Sequence, residues 1–371
     1  MGWSFMRGLR AWVAPLVGLT LSGLAAAQAP KAQVVASGLS NPWAVAFLEG
    51  GRFLVTERPG RMRVVEADGR VGPPLAGVRE VAAGGQGGLL DLVLDSDYER
   101  NRLLYFCYSE PGSGGNSTAL ARARLAPDRT RLEEVQVLFS QRPKVSSQMH
   151  FGCRVVESRD GTLFLALGER YSRMQDAQRL DNHHGKVVRL TKDGQPAPGN
   201  PFAGRAGALP EIWSIGHRNP QGAALAPDGR LWMHEHGPQG GDEINLPQPA
   251  RNYGWPVITH GESYGGGPVG EGLTAREGME QPLHHWTPSI APSGMAFLTS
   301  DRYGPAWKGN LFVGSLKFRY LARLELAEGK VQREQRLLEG VGRVRDVRQG
   351  PDGLLYLLTD SSQGQLVRVL P

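Results

Sequence analysis

The chain has 371 residues, and its 50 Gly and 26 Pro make up about a fifth of it against roughly 12% on average, yet 40% of residues are still hydrophobic. That apolar share excludes global disorder, and the lack of a Gly-x-y period excludes a collagen-like chain. The formal charge of +6 sets 42 basic residues, of which only 7 are Lys, against 36 acidic ones; a nucleic-acid surface would gather the Arg into a stripe, whereas their spread along the chain reflects either a GC-rich genome or recognition of a polycarboxylate ligand.

At the N-terminus, residues 1–27 read as a secretory signal. Arg7 and Arg10 form the charged region, residues 11–30 carry no charge, and Ala25-Ala26-Ala27 offers a small-residue cleavage site before Gln28. Pro15 and Gly18 weaken the same stretch as a permanent span. The expectation is a single domain, residues 28–371, in a periplasmic or secreted protein with no span in the mature chain. Cys107 and Cys153 are either one disulfide or two buried thiols, and they are too few for a cysteine-based zinc site.

One pattern then recurs six times: a turn signal followed by a short apolar and aromatic run. The copies begin at Gly51, Asn101, Asp160, Asp228, Gly309 and Asp352, at spacings of roughly 43 to 80 residues. Asp-Gly and Asn-containing turns suit the positive φ of tight hairpins, and the runs that follow suit strands. The pattern predicts an all-β fold, a six-bladed β-propeller, with a solenoid or irregular sandwich as the alternative. Because the last copy lies near the C-terminus and Gln33-Val34-Val35 precedes the first, one blade is expected to mix strands from both ends.

Between the repeats lie Gly-rich polar segments, where function usually sits on a rigid scaffold. Gly84–Asp91 surrounds Gln86 with four glycines, a plain turn or a close approach to a ligand. Ser147–Arg154 carries His150, a structural residue or a base. Gly216–Gly222 sets Arg218 beside Asn219. His234–Glu243 combines carboxylates with a Gly/Pro loop suited to calcium, with His234-x-His236 as a transition-metal alternative. The pairs His183-His184 and His284-His285 read as polar surface. Near the C-terminus, Ser315-Leu316-Lys317 and Arg343-Val344-Arg345 form either a multi-anion receptor or an exposed strand face.

In order along the chain, GGQGGLLD, HFGCR, GERYSR, GKVVRL, IGHRNPQG, EHGPQGGDE, NYGWP, SGMAF, LFVGSLK, RVRDVRQGPDG and LYLLTD resemble the soluble PQQ-dependent aldose sugar dehydrogenases, relatives of the soluble quinoprotein glucose dehydrogenases. The resemblance runs from about Gly38 to the C-terminus, and that family folds as a six-bladed propeller. It implies oxidation of aldoses at C1 by hydride transfer to pyrroloquinoline quinone (PQQ), a tricarboxylate. His150 matches the base, with Arg218 placed to stabilise the reacting oxygen. Gln86, Asn219, Lys317, Arg343 and Arg345 match cofactor contacts, and Thr259, Tyr264, Ser315, Leu316 and Val344 fall where the family lines that site. Gly237 and Pro238 match carbonyl ligands of an active-site calcium, and Glu243 and Tyr253 a second, structural calcium.

Two departures stand out. Cys153 occupies a position where many relatives carry Gly or Ser, and Tyr171–His184 follows no one relative closely near the expected sugar entrance. With no Cys-x-x-Cys-His haem motif in the chain, electrons are expected to leave to a separate acceptor, from a monomer or homodimer. The competing readings are a calcium-dependent propeller lactonase and a non-catalytic ligand-binding propeller.

Overall fold

A computed structural model describes residues 1–3 and 29–371. The expected signal segment falls almost wholly on 4–28, outside the described residues. Among the described residues, twenty-four strands form six four-stranded sheets with antiparallel pairing throughout. The first strands of the blades, Pro42–Leu48, Leu89–Leu94, Gly152–Glu157, Pro220–Leu225, Pro292–Phe297 and Val344–Gln349, touch one another in sequence and close a ring about a central axis. This is a six-bladed β-propeller. Closure leaves only short outer edges open to further strand pairing.

The six turn-and-strand copies all occupy the same structural position. Each leads into the second strand of its blade: Arg52–Glu57, Leu103–Gly112, Leu163–Leu167, Leu231–Glu235, Leu311–Ser315 and Leu355–Thr359. The local cause is visible at Asp160-Gly161. Gly161 takes φ +78°, and Asp160 Oδ1 accepts the Thr162 N–H at 3.0 Å, an Asx turn that starts the strand. Asp228 and Asp352 repeat that bond to Arg230 and Leu354. The sixth blade is the mixed one: Lys31–Leu39 pairs with Gly364–Leu370, from Lys31 opposite Leu370 to Leu39 opposite Gly364.

A charged layer crosses the axis. Arg154 Nη1 lies 3.1 Å from Asp91 and 2.9 Å from Asp346, and Arg348 bridges the same two carboxylates at 2.6 and 3.0 Å. Two cations and two anions cancel, so these buried charges compensate one another, as interior charges must. The layer ties together the first strands of blades two, three and six, and Arg154 also sits 4.1 Å from the Trp43 ring. Cys107, on the second strand of blade two, forms a disulfide with Cys153 on the first strand of blade three, with Cα atoms 5.7 Å apart. Among the described residues no helix is long and apolar enough to cross a membrane.

Candidate active site

One end of the axis opens into a cavity of about 370 Å³ lined by residues from all six blades. Its floor is the charged layer: Arg154 donates to the carbonyls of Gln221 and Arg345, and both residues line the cavity. Of the expected cofactor residues, Gln86, Asn219, Leu316, Arg343 and Arg345 reach this cavity. Sequence reading missed Asn41, Trp43, Arg58, Gln221 and Asp360, which also line it, and read His236, another lining residue, only as half of a metal pair.

Charge is unbalanced there. Three guanidinium groups, from Arg58, Arg343 and Arg345, face one carboxylate, Asp360. Arg345 is buried and fixed, donating to Asp360 Oδ2 at 2.9 Å and to Gln221 Oε1 at 3.2 Å. Burial raises the Asp360 pKa, but Arg345 and Asn41 more than offset it, leaving the group at about 2 and ionised. The Arg343 side chain is 48% exposed and 3.8 Å from Asp360. Arg58 donates to the Gly85 carbonyl at 2.9 Å, which ties it to the glycine loop that carries Gln86. A tricarboxylate with flat apolar rings fits this donor set, because the guanidinium forks match carboxylates and Trp43, Leu90 and Phe151 supply apolar walls.

His150 stands at the edge of the cavity, immediately before the lining residues Phe151 and Gly152. It is buried and takes φ +51°, a left-handed backbone unusual outside glycine. Several contacts hold it there. Its N–H donates to Gln86 Oε1 at 2.8 Å, and its carbonyl accepts the Arg170 N–H at 3.2 Å. Gly168 packs so closely beneath that a Cβ there would lie 1.9 Å from the His150 carbonyl oxygen. Nδ1 lies 2.8 Å from Glu169 Oε1.

Burial, then Arg218 and Arg170, push the His150 pKa down to about 2, while burial, partly opposed by Arg218, raises Glu169 to about 7. The imidazole is therefore neutral. A proton on Nδ1 directed at Glu169 leaves Nε2 as a bare acceptor, and Nε2 makes no hydrogen bond to the described residues. Glu169 Oε2 is buried without a partner. Glu169 was not singled out in the sequence, although it sits in the GERYSR motif; its role depends on a fold contact across 19 positions.

Arg218 and Thr259 lie outside the cavity, in a narrow adjoining cleft with Gly237, Glu243 and Tyr253. Arg218 donates from Nη1 to the carbonyls of Gly237 at 2.7 Å and His236 at 3.1 Å, and its Nη2 lies 3.4 Å from the Tyr264 hydroxyl. The Gly237 oxygen, expected as a calcium ligand, thus accepts a guanidinium here. Tyr264 is exposed. Lys317 is also exposed, with Nζ 5.2 Å from the Phe318 ring. Ser315 and Val344 are buried away from the cavity: Ser315 Oγ donates to the Ile290 carbonyl at 2.8 Å, and Val344 packs in the core.

The acidic segment lacks a cationic partner. Glu235, Asp242 and Glu243 form no ion pair with Lys or Arg among the described residues. Burial, reinforced by Glu235, raises Glu243 to about 8, so a bound cation would relieve it. No three His, Cys, Asp or Glu side chains among the described residues are placed to hold a metal, so a cation here would draw on backbone oxygens, as calcium can. His234 is fully buried, with neither ring nitrogen bonded, and His236 Nε2 lies 2.6 Å from the Pro292 carbonyl, so these two do not form a metal pair. His183 and His184, expected at the surface, are fully buried against Glu211 and Asp176 at 2.7 and 2.9 Å. His285 is exposed and His284 half-buried.

Fold and site together define a six-bladed propeller whose axial, arginine-lined cavity adjoins a buried His150–Glu169 pair. The chain belongs to the glucose/sorbosone dehydrogenase family, whose model matches residues 39–368. It is 44% identical to aldose sugar dehydrogenase YliI of Escherichia coli K12 over 365 residues, covering 97% of this chain and 98% of that one. A solved glucose dehydrogenase shares 48% identity at TM-score 0.89, covering 91% of this chain and 99% of the other. The PQQ-bound aldose sugar dehydrogenase of Streptomyces coelicolor shares 29% identity at TM-score 0.75, covering 92% of this chain and 98% of its own.

Proposed function

We propose that the protein oxidises aldose sugars at C1 to lactones, with PQQ held in the axial cavity and calcium in the adjoining acidic cleft. The observation that carries this reading is the buried His150–Glu169 contact at 2.8 Å beside a wall of three guanidinium groups. When bound, the quinone supplies the hydride acceptor. His150 Nε2 takes the proton from the anomeric hydroxyl, and Glu169 steadies the imidazolium that results. Arg345, clamped by Asp360 and Gln221, and Arg343 at the rim receive the carboxylates, with Gln86, Asn219 and Leu316 completing the wall. Arg218, which holds the Gly237 and His236 carbonyls, organises the cleft behind. Lys317 and Tyr264 flank the mouth and Thr259 lines the adjoining cleft, where the carbonyls of Gly237 and Pro238 would supply oxygens for an active-site calcium, and Glu243 with Tyr253 for a second, structural one. Residues 1–27 direct export to the periplasm or beyond, residues 28–371 form the catalytic domain, and electrons pass on to a separate acceptor.

The test is reconstitution of purified apoprotein with PQQ and calcium, following bleaching of a redox dye with glucose and a panel of aldoses. Dye reduction that requires sugar, quinone and calcium together supports the reading. No reduction, with PQQ failing to bind, overturns it; turnover of a lactone without quinone favours the lactonase.

A further inference from the structure

The segment after Glu169 holds its backbone in an unusual state. Arg170 and Tyr171 are consecutive non-glycine residues at φ +65°. Such a residue is strained and persists only where its surroundings over-determine it. Here they do. The buried Arg170 guanidinium donates to four oxygens: the Met149, Asn116 and Ser147 carbonyls and Asn116 Oδ1, at 2.6 to 3.1 Å. It also sits 3.9 Å from the centre of the Phe151 ring. Ser147, Met149 and Phe151 belong to the segment that carries His150, and Asn116 to the third strand of blade two.

What this locked turn presents is an aromatic ring. Tyr171 is 45% exposed, and its ring meets the His150 imidazole edge to face, centroids 5.3 Å apart at 78°. Of the large hydrophobic side chains left exposed, Tyr171 touches His150, and the Tyr264 hydroxyl lies 3.4 Å from Arg218 Nη2. An exposed aromatic ring held against a buried, unpaired imidazole nitrogen offers a contact surface for a ligand. A pyranose offers one apolar C–H face, and an aromatic ring is its natural partner, since the negative π face attracts polarised C–H groups.

We infer that Tyr171 is a sugar-binding residue: its ring forms one wall of the sugar site beside His150. The inference rests on the sugar-oxidising reading above and adds to it the residue that binds the sugar ring. The experiment uses Tyr171→Ala, which keeps the φ requirement and deletes the ring, and Tyr171→Gly, which removes the backbone penalty as well. Tyr171→Phe keeps the ring and loses only the hydroxyl.

In reconstituted enzyme, Ala and Gly are expected to raise KM for glucose and xylose about 3- to 10-fold, the range for one aromatic contact. In the same variants kcat stays within about twofold, and PQQ affinity, measured separately by titration, is unchanged; Phe behaves as the parent in all three. A role confined to holding the loop would lower kcat or PQQ affinity and spare KM, and that result overturns the inference. So does Phe losing as much as Ala. An active parent with unaltered KM in Ala and Gly overturns this inference alone, whereas an inactive parent that cannot bind PQQ overturns the function as well.

Discussion

Cutting the Cys107–Cys153 link tests how the strand behind His150 is anchored. Cys153 lies three residues after His150, and both sulfurs are fully buried between blades two and three. The bond closes a loop across 46 positions. In the chain-entropy model, a loop of that length restricts the unfolded chain by about 4 kcal/mol at 25 °C. Replacing both residues by Ala keeps each Cβ, so the loss reports the link together with a small packing term. With unfolding entropy near 2.1 cal/mol/K per residue over about 340 residues, 4 kcal/mol corresponds to a fall of about 5 to 6 °C in Tm. The assay is thermal unfolding at fixed scan rate for Cys107→Ala, Cys153→Ala and the double variant. Because either single change already opens the loop, all three should fall by nearly the same amount, a strongly non-additive cycle. Single losses that add up to the double loss, or a double loss under about 2 °C, would refute crosslinking as the source of the stability.

Four further outcomes follow from the site. His150→Ala should cut turnover by about 10²-fold or more while PQQ titration is unchanged, since the base contributes to proton transfer and not to the basic wall; near-parental turnover would sink the assignment. Glu169 is neutral below its raised pKa of about 7 and ionised above it, so kcat should rise as pH passes through about 7, when its carboxylate can steady the imidazolium. Glu169→Gln should flatten that limb of the profile and lower its plateau by about tenfold. Arg345→Gln should weaken PQQ binding by about 10- to 100-fold because the buried fork is already oriented, while Arg343→Gln, half in solvent, should cost about threefold or less by the same titration. Chelation should abolish activity and added calcium restore it; an unchanged rate after exhaustive chelation contradicts a role for the acidic cleft.

Features set by local chemistry were legible in the sequence, and those made by distant contacts were not. The second strand of every blade could be read because its cause is local: a turn rich in Gly, Asp or Asn immediately precedes an apolar run, as at Gly50-Gly51 and at Asp160-Gly161-Thr162. The outer strands offered less. Lys330–Leu337 is largely solvated and shows no apolar alternation to read. Gln86, Asn219 and Arg345 could be found because each sits in a compact Gly-bounded or alternating motif, whereas Asp360 acquires its role from Asn41, 319 positions away, and from Arg345.

His183 and His184 show the same limit from the other side. Adjacent histidines look like surface residues until the fold supplies Glu211 and Asp176, which let two polar rings be buried without loss of hydrogen bonds. Lys186 carries that logic to a charge. Burial lowers its pKa to about 7, and its Nζ donates to the carbonyls of Asp176, Ala177 and His184. The segment those carbonyls belong to follows Tyr171, so a lysine on the third strand of blade three pins the loop whose start faces His150. A scaffold residue and a site residue are thus coupled through three backbone oxygens, a relation that depends on where carbonyls point and is carried by no side-chain pattern in the sequence.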